Sequence, residues 1–219
     1  MSITNYAELQ SAIGSWLARG DLAASIPDFI ALAETRIFYG SEDASYPSPP
    51  LRIRAMEETT DPAVYATTPG VASLALPAGF LEARAVALDT SPVVDLDFMT
   101  QKQLNARWAG SIAARPRVYS FAGDALRLGP VPDAAYGVSL SYYKRFDPLA
   151  VTPTNWLIAN APGVYLYAAL LEAQPFLMND QRLPLWAGML GAATRALMLA
   201  DRQDRWGGQL AMRPDAPTP

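Results

Sequence analysis

The residues whose types and spacing bear on chemistry are a few carboxylates and a group of cations. Asp95-Leu96-Asp97 sets two carboxylates two positions apart. In a strand that puts both on one face, and with a metal such a pair can serve transfer chemistry. The alternation after Val93 and Val94 equally places polar groups in solvent, and no phosphate cradle lies nearby, so the expectation is two solvated carboxylates. Glu57 and Glu58 are adjacent, and consecutive strand residues point to opposite faces. They are therefore expected at the surface or in ion pairs rather than as a joint acid and base. Glu172 falls inside a segment that is otherwise almost wholly apolar. An ionised carboxylate there must find a cation or change its pKa, and the expected arrangement is a structural buried ion pair with Arg36 or Arg84. Arg115, Arg117, Arg127, Lys144 and Arg145 concentrate positive charge on and beside one predicted hairpin. Such a basic β-face would suit a phosphate backbone or an acidic partner, but the interleaved aromatics that stack single-stranded bases are not evident, and a solvated sheet face is expected.

The rest of the inventory is empty of reaction machinery. The 219 residues contain no histidine and no cysteine. That removes the usual general base, thiolate nucleophiles, zinc–cysteine clusters and disulfides. No Gly-x-Ser-x-Gly elbow, phosphate-binding loop or dinucleotide fingerprint occurs, so no catalytic residues, metal ligands or cofactors are expected. The formal net charge of -4 argues against a protein whose main task is gripping phosphate backbones. Only Lys102 and Lys144 are lysines among the 17 basic residues; the others are arginines, the cation suited to bidentate pairing at interfaces. Neither a signal peptide nor a membrane span is expected, because no basic segment followed by an apolar run opens the chain and no window of about twenty apolar residues is uninterrupted.

These groups must be positioned by elements legible from periodicity. Tyr6, Leu9, Ile13, Trp16 and Leu17 recur at helical spacing behind a capping pair, Asn5 and Glu8, predicting a helix from about residue 5 to Arg19. Ser25 as N-cap, Pro27, Asp28 and the stripe Phe29, Ile30, Ala33, Ile37 predict a second helix ending near Tyr39. Gly40 to Pro50 reads as a loop. Beyond it Leu51, Ile53 and Ala55 alternate with Arg52 and Arg54, and short runs around Val71, Leu74, Leu76, Val86 and Leu88 lie between prolines and glycines, all predicting strands. Gly123-Asp124 between Val118/Phe121 and Leu126/Leu128 predicts a two-residue hairpin turn, and Gly137 to Phe146 another strand with Val138, Leu140 and Tyr142 on one side. A short helix is expected around Thr100 to Trp108. Helical spacing returns with Pro162, Val164, Tyr167, Leu170 and Leu171 in a helix apolar nearly all round, hence buried. Pro175 ends it. A last helix is predicted from near Asp180 to Gly207-Gly208, with Trp186, Leu190, Ala193, Leu197 and Ala200 inward. The expected fold class is α+β. The N- and C-terminal helices (1–50 and 150–208) pack as a helical bundle, an antiparallel β-rich domain (51–149) is inserted between them, and 209–219 form an extended C-terminal tail.

Taken in order along nearly the whole chain, several segments resemble the head-to-tail adaptor, or connector, proteins of tailed bacteriophages. They are Asn5 to Leu9 through Trp16-Leu17, Ile26 to Glu34 with Arg36-Ile37, Met56-Glu57, Leu76 to Glu82 and Arg115-Pro116. Gly123 to Leu128, Pro130 to Asp133, Asn155 to Leu157 and Tyr165 to Ala173 continue the series. The resemblance implies a structural protein of the virion neck, assembled in the host cytoplasm as a homo-oligomer, a dodecameric ring. Such a ring docks under the portal protein, joins a tail or nozzle component, and lets DNA pass its channel without specific binding. Membrane contact is not implied. The Gly40 to Pro50 loop is longer than the link such a protein is expected to carry. The tail, with Trp206, Leu210, Met212 and Arg213, is expected to be a portal-docking arm. Two other readings remain at this point: another neck or tail-completion protein, and a virion-associated hydrolase using Asp95, Asp97 or Glu172.

Overall fold

Asn5 starts the first helix by accepting the Glu8 backbone N–H on its side-chain oxygen at 3.0 Å, while the Glu8 carboxylate reaches back to the Thr4 N–H at 2.7 Å. The Glu8 amide is one that a helix start leaves without a partner, and the bond to Thr4 ties the preceding residue to the first turn. The computed structural model in which this is seen describes residues 3–43, 45–108, 110, 112–177 and 181–205. In chain order the helices are α1 (Tyr6–Leu17), α2 (Ile26–Tyr39), α3 (Gln101–Trp108), α4 (Trp156–Asn160), α5 (Pro162–Glu172) and α6 (Leu183–Arg205). The strands are β1 (Glu57–Thr59), β2 (Ser73–Ala75), β3 (Phe80–Asp89), β4 (Val94–Asp95), β5 (Asp97–Phe98), β6 (Val118–Ala122), β7 (Ala125–Gly129) and β8 (Gly137–Lys144). The fold is α+β. The chain divides into two compact units, residues 1–54 with 148–219, and residues 55–147.

The helical unit is organised around α5. Val164, Tyr165, Leu166, Ala168, Ala169, Leu170 and Leu171 are all buried, as expected of a helix with apolar residues on every side. Helices α1, α2, α4 and α6 pack against it. α1 contributes Leu9, Ala12, Ile13 and Leu17, and α2 contributes Ile26, Phe29, Ile30, Ala33, Ile37 and Phe38. Ser25 does not cap α2. A 3-10 turn over Gly20–Ser25 runs directly into the helix, so Ser25 is already in the right-handed helical region and makes no side-chain cap bond. The short α4 has its own cap, with the Asn155 side-chain oxygen accepting the Ile158 N–H at 2.9 Å.

Two further expectations need correction. Leu51 and Ile53 are buried, but no strand forms there. Leu51 N–H donates to the Ile37 carbonyl at 2.8 Å, so this is an extended segment laid on the helical unit. In α6, Trp186, Leu190 and Thr194 are buried, whereas Ala193 and Leu197 are half-buried and Ala200 is exposed. The inward stripe therefore runs at one side of the expected one and weakens after Thr194.

The other unit holds, among the described residues, two four-stranded sheets. One, β1-β8-β3-β4, is antiparallel throughout; the other runs β2-β7-β6-β5 with β5 and β6 parallel. Val86 opposite Leu140 and Leu88 opposite Val138 give the first sheet an apolar face. That face shares one core with Leu126 and Leu128 of the second sheet and with Leu96, which lies between β4 and β5. Truncating either β7 leucine to alanine is expected to cost about 2–5 kcal/mol, since a cavity is left in a close-packed interior. The β6–β7 hairpin turns on Gly123-Asp124. Gly123 has φ 58 and Asp124 is not among the residues with positive φ, the pattern of a type II′ turn, which matches strand twist.

Candidate functional site

Arg36, in the last turn of α2, meets the Glu172 carboxylate at the end of α5 through its Nε–H. The same guanidinium donates from Nη1 to the Tyr46 carbonyl at 3.0 Å. One cation thus neutralises the carboxylate on the apolar helix and fastens the Gly40 to Pro50 loop to the helical unit. The loop is closed by reciprocal bonds between Ser41 and Ser48, at 2.8 and 2.9 Å. Gly40 has φ 80, and a Cβ there would stand 2.9 Å from the Ser48 carbonyl, so the entry to the loop requires glycine. Both side chains of the ion pair are largely covered, with exposures of 12% and 18%. Arg84 belongs to the β unit, where it pairs with Glu57 instead.

The remaining carboxylates are not assembled for chemistry. Asp95 lies on β4 of the first sheet and Asp97 on β5 of the second; both are exposed, as the solvated reading expects, and the alternative of a shared strand face does not form. The physical reason is Leu96, buried in the core between them, at which the chain passes from one sheet to the other. Glu58 pairs with Lys144 at 2.9 Å. That hydrogen bond holds the Lys144 ammonium above the ordinary lysine range. Among the described residues no cluster of three or more carboxylates is placed to hold a metal ion. The strongest perturbations fall on tyrosines. Burial pushes the Tyr65 hydroxyl up to about 12, and it pushes Tyr165 upward as well. These are packing effects; Tyr65 donates to the Ala75 carbonyl and Tyr165 accepts from Asn155.

The five cations of the expected basic face are divided between the sheets. Arg127 stands exposed on β7, and Arg115 and Arg117 are exposed in the segment leading to β6. Lys144 ends β8 of the other sheet, neutralised by Glu58, with Arg145 exposed beside it. Trp206, Leu210, Met212 and Arg213 lie outside the described residues.

Periodicity misses a feature of α6. Leu185, Met189, Ala192, Ala196 and Leu199 recur at alternating spacings of four and three on the side away from Trp186 and Leu190, and all are exposed. The helix carries two apolar stripes, of which the reading from sequence recognises the bulkier. By length and composition alone, Leu183–Gln203 is long and apolar enough to cross a membrane, although Arg195, Asp201 and Arg202 interrupt it. The helix is nevertheless built into the helical unit: Trp186 and Leu190 are buried, and the Asp201 carboxylate accepts the Arg54 N–H at 2.6 Å.

Comparison with known proteins gives one family. The model of the SU10 adaptor protein family matches residues 4–213 of the chain. No curated protein matches.

Proposed function

Because the chain belongs to the SU10 adaptor protein family, a family of phage head–tail adaptors, we propose that it forms the neck ring of a tailed phage. Membership makes it a phage adaptor protein, a virion component that works through contacts with other head or tail proteins. The finer reading is a dodecameric ring seated under the portal protein, joined on its far side to a tail or nozzle component, through which DNA passes without specific binding. The observation that carries it is a family match spanning both units.

Physical features support the reading. The role calls for no reaction, and the carboxylates suited to chemistry are paired with cations or set on separate sheets. A net charge of -4 gives DNA no reason to stall in a channel, because no excess of cations is available to displace its counterions. The segment with Trp206, Leu210, Met212 and Arg213 is assigned as the portal-docking arm, since beyond Gly208 Leu210 and Met212 are the large apolar groups of a stretch rich in proline.

Sedimentation of the full chain with purified portal tests this. Co-sedimentation is expected, and deleting the residues after Gly208 should weaken it while leaving the circular dichroism unchanged. A full chain that never travels with portal would overturn the assignment, and unchanged portal binding after the deletion would overturn the role of the arm.

A further inference from the structure

The outer stripe of α6 carries exposed apolar residues beside cations, and the outer face of α2 carries exposed apolar residues between acids. On α6, Leu185 is 60% exposed and Leu199 57%, and between Met189 and Leu199 the side chains shrink to Ala192 and Ala196. The two alanines lie about 6 Å apart along the axis and leave a shallow hollow between larger residues. Arg195 and Arg202 lie along one edge of the stripe, both exposed and without an ion pair among the described residues. On α2, the exposed positions Asp28, Leu32, Thr35 and Tyr39 follow the same four–three spacing, with Leu32 51% and Tyr39 59% exposed. Asp28 stands at one end of that face, and Glu42 and Asp43 follow its other end. All three are exposed and outside any ion pair among the described residues.

We infer that the α6 outer stripe of one copy seats on the α2 outer face of the next, with Leu32 in the Ala192/Ala196 hollow and the arginines of one facing the acids of the other. Stripes of this spacing are what helices present to one another, and small residues let their axes approach closely. A contiguous exposed apolar stripe rimmed by polar residues, as on α6, marks a site of protein or membrane contact. The two surfaces differ, so the contact is head-to-tail, and a head-to-tail contact that closes makes a ring. The inference rests on the ring proposed above and adds which faces form it. A bilayer is the other environment that would accept an apolar helix, but immersion would strand Arg195 and Arg202 and break the packing of Trp186 and Leu190.

The natural absence of cysteine makes the test clean. The full chain carrying Leu32→Cys and Ala192→Cys is treated with a short bis-maleimide, in the presence of portal. A covalent ladder extending beyond the dimer is expected, with each single variant giving none. Reversing the charge at both arginines (Arg195→Glu with Arg202→Glu) should lower assembly at least tenfold. Adding Asp28→Arg and Glu42→Arg to the same chain should restore it, while circular dichroism stays unchanged throughout. Rings in the unmodified chain with no ladder, or cross-linking that stops at dimers, would overturn the seam and leave the ring standing. Absence of rings in the unmodified chain would overturn the ring and the seam together. Flotation of the unmodified chain with phosphatidylcholine–phosphatidylglycerol vesicles would assign the stripe to lipid and overturn the seam.

Discussion

The Asn155 side-chain amide donates to the Tyr165 hydroxyl at 2.9 Å, while the oxygen of the same amide caps α4 on the Ile158 N–H. One side chain therefore joins the start of α4 to the middle of α5, at a tyrosine with no exposed surface. Replacing Asn155 with alanine removes a cap and leaves a buried hydroxyl short of a partner, at a cost of about 2–3 kcal/mol. Asn5→Ala removes only a cap on a more exposed helix and should cost about 1 kcal/mol. Urea denaturation of the two variants measures the difference, and equal losses would remove the special role of the Asn155–Tyr165 bond.

The Arg36–Glu172 pair should behave as a largely covered ion pair. Removing one partner leaves the other charge under apolar cover, so Glu172→Leu is expected to destabilise by about 2–3 kcal/mol, somewhat below the range for fully buried pairs. The double variant Arg36→Leu/Glu172→Leu should lose less than the sum of the singles, because no charge is then stranded. Arg36 also holds the Tyr46 carbonyl. Arg36→Leu should consequently speed amide exchange in the loop at Tyr46 and Ser48 more than Glu172→Leu does, measurable by hydrogen exchange.

Stability should be insensitive to pH across neutrality and fail at the alkaline end. The chain has no histidine to titrate near pH 7. A tyrosine in the unfolded chain loses its proton near 10, whereas burial holds that of Tyr65 to about 12 and also raises Tyr165. The folded state thus binds more protons than the unfolded state above pH 10. The contribution of these groups is complete below that value and is lost as pH climbs toward 12 and beyond. Thermal melts should show a plateau from about pH 6 to 9 and a fall above 10. Tyr65→Phe should make that fall shallower, at the expense of the hydrogen bond to Ala75 at neutral pH.

Much of the fold is legible in the residues, and the failures have identifiable physics. The side-chain cap of α1, the prolines at the starts of α2 and α5, the 3–4 spacing of all three and the Gly123 turn act locally, so no tertiary information is needed to read them, whereas the cap expected of Ser25 is displaced by the 3-10 turn before it. The alternation at Leu51 and Ile53 is real, but it reports an extended chain buried on one side. It does not say whether a strand or a helix covers that side. The same ambiguity defeats Asp95-Leu96-Asp97. Period two places them on one face only while the strand stays in one sheet, and the move from sheet to sheet at Leu96 is a tertiary event. On α6, a second apolar stripe follows the same spacing as the first, and bulk alone decides which is noticed. The functional surfaces carry no reactive motif. An adaptor's work lies in broad complementarity between chains, which leaves no short signature, and the ordered resemblance along the chain is what points to it.

The central claim is tested most directly by cryo-electron microscopy of the full chain mixed with portal. The expected result is a closed ring of copies of this chain, coaxial with the portal and with an open channel. Portal particles that carry no such ring, or that bind scattered copies without closure, would contradict it.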